Sequence, residues 1–163
     1  MLIAGNDTTA ATIANEVLQA ADDEPLLNRL VEEVLRVEPH AHGLFRTAMR
    51  DVELSGTVIP TGSQVFIMFA SANDDESEFP YPRKIDLARP NAGRHLAFGA
   101  GTHRCIGAAL SRMELKIAAT EIVKRLGNIE LAIPVEEVSY LPNVAMQTIE
   151  RLPLTFSRRT TAS

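Results

Sequence analysis

The sequence predicts a mainly α chain with small β-sheets, an α+β arrangement. Three observations carry that expectation. Three segments, 2–20, 25–38 and 105–126, read as helices, the first two with apolar residues on one face. Short β-rich runs punctuated by turn residues occupy 44–69 and 128–157. Between them lies an irregular stretch, 70–104, rich in Pro, Gly and Asn. Irregular segments of that length are uncommon in a compact domain unless they are functional.

Each element has its own warrant. In 2–20, Ile3, Ala10, Ile13, Ala14, Val17 and Leu18 share one face, interrupted by Gly5, Thr8 and Thr9, which are poor helix formers. Asp22 and Asp23 suit a helix cap, and Pro25 suits a first turn, where its missing N–H costs nothing. Leu27, Leu30, Val31, Val34 and Leu35 then face inward until Pro39 stops the helix. Ser55-Gly56 and Pro60-Thr61-Gly62 are turn signals between strands. The third helix carries Ala108, Leu110, Met113, Leu115, Ile117, Ala118, Ile122 and Val123, and Gly127 is expected to end it. Pro134, Pro142 and Pro153 fall at turns or edges of the final strands. Residues 158–163 are expected to fray.

The 163 residues suit one domain, with 45% apolar and 23% charged residues, as in soluble globular proteins. A net charge of −5, from 21 acids against 16 bases, argues against a nucleic-acid partner, which needs a basic face. One cysteine excludes an intramolecular disulfide and points to a reducing, cytoplasmic setting. No apolar run approaches the roughly 20 residues of a membrane span, and the N-terminal MLIAGNDTTAAT lacks the pattern of a signal peptide.

A lone cysteine is more often a buried apolar residue than a reactive one, so Cys105 needs context. That context is Phe98-Gly99-Ala100-Gly101-Thr102-His103-Arg104-Cys105-Ile106-Gly107. Glycines admit positive φ and close backbone approach. The cysteine sits where the third helix begins, and free N–H groups and the helix dipole favour an anion there. A thiolate is such an anion. A nucleophilic cysteine with a histidine partner would use the same placement, but it leaves the glycines and Phe98 without a reason.

The segment resembles the haem-binding signature of the cytochrome P-450 family, F-x-x-G-x-[HR]-x-C-x-G, at every defined position. The resemblance implies haem b as cofactor and Cys105 as axial thiolate and metal ligand. Phe98 would pack beside the sulfur, with Gly99, Gly101 and Gly107 lying close to the ring. Three further motifs resemble the family in the same order. Ala4-Gly5-Asn6-Asp7-Thr8-Thr9 is similar to the oxygen-activation motif, in which Thr8 would hydrogen-bond dioxygen and Asp7 would feed protons through water. Glu33 and Arg36 form the E-x-x-R pair, which the family buries with a third residue, here Arg89, so these three are expected to be structural. Arg46, His95 and His103 match positions suited to the haem propionates, which are carboxylates and seek cations. Ser71-Ala72-Asn73-Asp74-Asp75 departs from the family's S-A-N-R-D at Asp74, which puts one local ion pair in doubt. His40 to Leu44 and Asn143 to Met146 match segments that approach substrate in the family.

The resemblance covers nearly all of the chain but less than half of a family member, from the helix on the distal face of the haem to the C-terminus. It implies a partial cytochrome P-450 fold over 1–163 with the N-terminal half absent, and Met1 as an alternative start. The implied activity is a monooxygenase that inserts one atom of O2 into a small organic substrate. Electrons would come from NAD(P)H through a ferredoxin or flavoprotein. A non-catalytic haem-binding or inactive fragment is the alternative. With part of the haem's walls missing, a large apolar surface would be exposed and the chain would tend to associate.

Overall fold

A computed structural model describes residues 23–159. The expected helix at 2–20, with Asp7 and Thr8, lies outside the described residues.

Helix α1 (Glu24–Val37) begins as its caps dictate. Asp23 Oδ1 accepts the Leu26 N–H at 3.0 Å, satisfying one of the free donors of the first turn. Pro25 occupies that first turn, and the helix closes at Glu38, before Pro39. Its apolar stripe is buried: Leu27, Leu30 and Val37 meet Ile85, with Val34, Leu87 and Ala119 packed around them. Strand β1 (Gly43–Thr47) follows and pairs antiparallel with β4 (Gln64–Met68). Between them β2 (Val52–Leu54) and β3 (Thr57–Ile59) form a hairpin. Its two turn residues, Ser55 and Gly56, both take positive φ, +50° and +78°, the geometry that matches strand twist in a two-residue loop.

The stretch after β4 is less irregular than its composition implies. A short helix, α2 (Phe69–Asn73), opens it, and single 3-10 turns form at Ala92–Arg94 and Gly101–His103. Helix α3 (Ala108–Arg125) then runs directly into β5 (Leu126–Leu131), which pairs antiparallel with β6 (Leu154–Arg158). Gly127 does not end α3 by a left-handed turn. The chain turns extended at Leu126, and Gly127 is a buried strand residue. A Cβ there would come within 3.2 Å of Arg159 Nε and 3.3 Å of Ser157 Oγ, so the missing side chain serves the approach of β6. Arg158 is paired with Leu126 within β6, so fraying does not begin there.

The segment between β5 and β6 folds back on the start of β1. Ala41 and Met146 form an isolated bridge, and the Gln147 N–H donates to His40 O at 2.9 Å. His42 Nε2 and Gln147 Oε1 are 2.6 Å apart. The two stretches matched to substrate-approaching segments are therefore neighbours, 105 residues apart in sequence.

Candidate functional site

The base of the site is a buried charge cluster. Glu33 and Arg36 lie one turn apart on α1, and both side chains are 0% exposed. Spacing of three puts them on one helix face. Arg36 Nε donates to Glu33 Oε1 at 2.8 Å and Nη2 to Oε2 at 3.1 Å, a two-point fork. Buried charge is costly unless every polar atom is satisfied. The remaining donors reach main-chain carbonyls: Arg36 Nη1 to Pro82 O at 2.6 Å and Asn73 O at 3.2 Å, and Nη2 to Lys84 O at 3.2 Å. Arg36 also lies 5.2 Å from the centre of the buried Phe79 ring.

Arg89 joins them. Its Nε sits 3.0 Å from Glu33 Oε1, at ion-pair distance but out of line for a hydrogen bond. Its other nitrogens donate to Pro80 O and Lys84 O at 3.0 and 3.3 Å. Glu33 Oε2 accepts the Asp86 N–H at 2.9 Å. The structure thus brings Glu33, Arg36 and Arg89 together and explains how a proline-rich segment without ladder hydrogen bonds holds one shape: two guanidinium groups gather its carbonyls. Asp74, where the family resemblance breaks, pairs instead with Arg83.

The segment entering the cysteine loop is tied to this cluster through Asn73, which donates to Arg36 O at 3.1 Å and accepts the Leu96 N–H at 2.7 Å. Gly99 and Gly101 have φ of +64° and +69°, a region open to glycine at little cost. The loop closes on itself where the Cys105 N–H donates to Phe98 O at 2.9 Å. Cys105 precedes the first turn of α3 and its thiol is exposed and free. Free cysteine is among the most often buried residues, yet here it is exposed, as are the apolar Ile106 and Leu110 that follow it. A haem held by a thiolate needs a single sulfur donor and a flat apolar contact that backbone can approach closely. The exposed thiol, the two left-handed glycines and the uncovered apolar side chains fit those needs.

The other predicted residues fall as follows. Phe98 is half-buried in the loop. Gly107 caps α3 next to the cysteine, its missing Cβ 3.8 Å from Cys105 Sγ. Arg46 is exposed on β1 and donates to Phe45 O at 2.8 Å. His103 is exposed, and its ring makes no hydrogen bond among the described residues. His95 differs from expectation. Its side chain is 1% exposed, Nδ1 accepts the Ala97 N–H at 3.1 Å, and Nε2 lies 3.2 Å from Glu32 Oε2. Both ring nitrogens are engaged within the protein, leaving neither for a haem carboxylate in this arrangement.

Two residues that sequence reasoning passed over complete that contact. Arg112 grips Glu32 through Nε–Oε1 at 2.5 Å and Nη2–Oε2 at 2.9 Å, and its guanidinium lies 4.6 Å from the centre of the Phe98 ring. Burial opposes ionisation of Glu32, but hydrogen bonds from Arg112 and His95 outweigh it and hold the carboxyl down at about 2. Arg112, seven residues after Cys105, was visible as two helical turns from it. Glu32 gave no signal beyond its place beside Glu33.

The chain belongs to the cytochrome P-450 family: the family model described as Cytochrome P-450 matches residues 17–131. It is 36% identical to the cytochrome P-450 monooxygenase PikC of Streptomyces venezuelae, over 97% of this chain and 40% of that protein. It is 38% identical to cytochrome P-450-SU2 of Streptomyces griseolus, over 94% of this chain and 41% of that protein. A solved cytochrome P-450 from Chondromyces apiculatus superposes with a TM-score of 0.83 at 38% identity, covering 98% of this chain and 41% of the other. The fold is accordingly part of the cytochrome P-450 fold, and the chain spans about two fifths of the length of these relatives. Among the described residues no helix is long and apolar enough to cross a membrane.

Proposed function

We propose that this chain supplies the haem-thiolate side of a cytoplasmic monooxygenase that inserts one atom of O2 into a small organic substrate. Electrons come from NAD(P)H through a ferredoxin or flavoprotein. The observation that supports this best is the exposed Cys105 thiol just before α3, on a glycine-shaped loop whose entry is tied through Asn73 to a buried ion cluster. In this reading Cys105 is the axial ligand to haem b. Gly99, Gly101 and Gly107 keep side chains away from the ring, and Phe98 packs beside the sulfur. Arg46 and His103, both exposed, supply cations or donors for the propionates. Glu33, Arg36 and Arg89 fix the segment beneath. Asp7 and Thr8 deliver protons on the distal side. Haem, when bound, supplies oxygen activation, and a thiolate ligand favours O–O cleavage.

A second reading is a haem-binding or inactive fragment. The apolar side chains that the described residues leave exposed along α3 favour it.

The test is an absorption spectrum of the purified chain with haem, reduced and exposed to carbon monoxide. The red-shifted Soret band of a thiolate complex is expected, and Cys105→Ala should abolish it. No haem uptake, or a band of histidine or displaced-thiol type in the unmodified chain, would sink the assignment of Cys105. Turnover with a supplied electron donor separates the monooxygenase from the fragment.

A further inference from the structure

Two adjacent carboxylates on one turn of α1 face different parts of the chain. Glu33 reaches the segment around residues 82–89, as described above. Glu32 reaches the cysteine loop and α3. Its Oε2 meets His95 Nε2 at 3.2 Å, and both its oxygens meet the Arg112 fork at 2.5 and 2.9 Å. Because His95 Nδ1 accepts the Ala97 N–H, the ring proton is on Nε2, and the histidine donates to Glu32. Arg112 in turn covers the Phe98 ring, and Phe98 O receives the Cys105 N–H. Asn73 secures the loop's entry separately, its Oδ1 accepting the Leu96 N–H at 2.7 Å.

We infer that Glu32, His95 and Arg112 are positioning residues that clamp the cysteine loop between α1 and α3, with His95 serving this clamp and not the cofactor's carboxylates. Three features carry the inference. The carboxylate is bonded from two sides by groups 63 and 80 residues away, so it joins three separate parts of the chain. Both histidine nitrogens are consumed within the protein. The arginine contacts carboxylate and aromatic ring together, so it transmits the position of α1 to Phe98, the residue whose carbonyl holds the cysteine amide. That the held group is a haem ligand rests on the reading above; the clamp itself does not.

Hydrogen exchange on the full, haem-free chain tests the clamp independently of that reading. The reporters are the Gly99 and Cys105 amides, bonded to Leu96 O and Phe98 O. The Ala48 and Ala132 amides, just beyond the ends of β1 and β5 and bonded to Ser63 O and Pro153 O, serve as references. Glu32→Gln and Arg112→Gln should each speed exchange of the reporters by roughly tenfold to a hundredfold, the factor carried by a lost charge-assisted hydrogen bond, and leave the references unchanged. His95→Gln, which keeps an N–H at the same reach, should stay near the parent rate, whereas His95→Leu should not. Arg112→Lys keeps the charge without the fork and should give a smaller rise, which preserves the test if the Glu32 variant does not fold. In the haem-loaded chain, Glu32→Gln should lower the share of thiolate-type carbon monoxide spectrum relative to displaced-thiol type. Unchanged reporter rates, or reporters and references rising together, overturn the clamp. If His95→Leu leaves the haem-free loop unaltered yet weakens haem retention, the histidine serves the cofactor after all. If the loop responds but no thiolate spectrum forms in the parent chain, the clamp stands and the haem reading falls.

Discussion

Helices α1 and α3 invert each other. On α1 the apolar residues are inside, and two charged side chains are buried beside them without exposure. On α3 large apolar residues are outside: Leu110, Met113, Ile117 and Ile122 are all exposed, and only Ala108 and Val123 are fully covered. In the sequence the apolar residues of α1 share one face, whereas those of α3 fall on every side of the helix. The difference lies in what reaches them. Main-chain carbonyls and amides from 73–86 converge on Glu33 and Arg36 and make buried charge tolerable. Nothing among the described residues comes over the outer face of α3, which begins at the exposed thiol. Among the described residues, one helix is finished by its own chain and the other keeps an open apolar face.

The sharpest way to break the comparison is to empty the α1 cluster. Arg36→Leu leaves Glu33 buried with half its partners gone and takes the Arg36 donor from the Asn73 and Pro82 carbonyls. Removing one partner of a buried ion pair costs on the order of 3–5 kcal/mol. That should appear as a large fall in the urea unfolding midpoint. A loss below about 1 kcal/mol, the range of exposed ion pairs, would show that the cluster is not what fixes this region.

A smaller effect tests the neighbouring carboxylate by pH. Burial works against the charged form of Glu32, and bonds from Arg112 and His95 reverse it, bringing the pKa from 4.5 to about 2. A carboxyl whose folded pKa is depressed contributes stability that is fully present above its unfolded value and is lost as pH falls through the folded one. The loss should therefore run from about pH 4.5 down toward 2. Glu38 acts oppositely: burial raises its pKa, so acidification relieves a cost there and partly masks the Glu32 slope. Glu32→Gln should flatten the acid limb of stability measured against pH. Parallel limbs in the two proteins would mean that the carboxylate's bonds carry no net stability.

How much of this was legible depended on whether a feature is local. Asp23 and Pro25 announced the start of α1, and Ser55-Gly56 announced a hairpin, because caps and turns act within four residues. The Glu33–Arg36 pair was legible from helical spacing, and Arg89 came through resemblance. The carbonyls that complete the cluster carry no side-chain signature, so composition described the 70–104 stretch only as irregular. Asn73 is the clearest loss. Its side chain donates to Arg36 O and accepts from Leu96 N, 37 and 23 residues away, and no sequence pattern links those positions. His95 is a related case: a histidine near a cofactor signature suggests a ligand, and the side chain its ring meets here, Glu32, lies 63 residues upstream. Gly127 misled because glycine after a helix usually means a left-handed stop, whereas here it admits a strand.

The smallest expected effect separates the two helices most directly. Leu30 is 2% exposed and belongs to the core with Leu27, Val37 and Ile85. Truncating such a leucine removes its transfer energy and leaves a cavity, so Leu30→Ala should cost about 2–5 kcal/mol. Ile117 is of similar size but 57% exposed. Ile117→Ala removes few packed contacts and opens no cavity, so its cost should stay within about 0.5 kcal/mol. If the outer face of α3 is surface offered for cover, the same change should lower self-association, seen as a smaller average mass by light scattering at equal concentration. A loss of stability matching that of Leu30→Ala would place Ile117 in a packed environment and remove the contrast between the helices. Unchanged stability with unchanged association would leave the helices different in burial but show that the exposed face of α3 does not drive contact between copies.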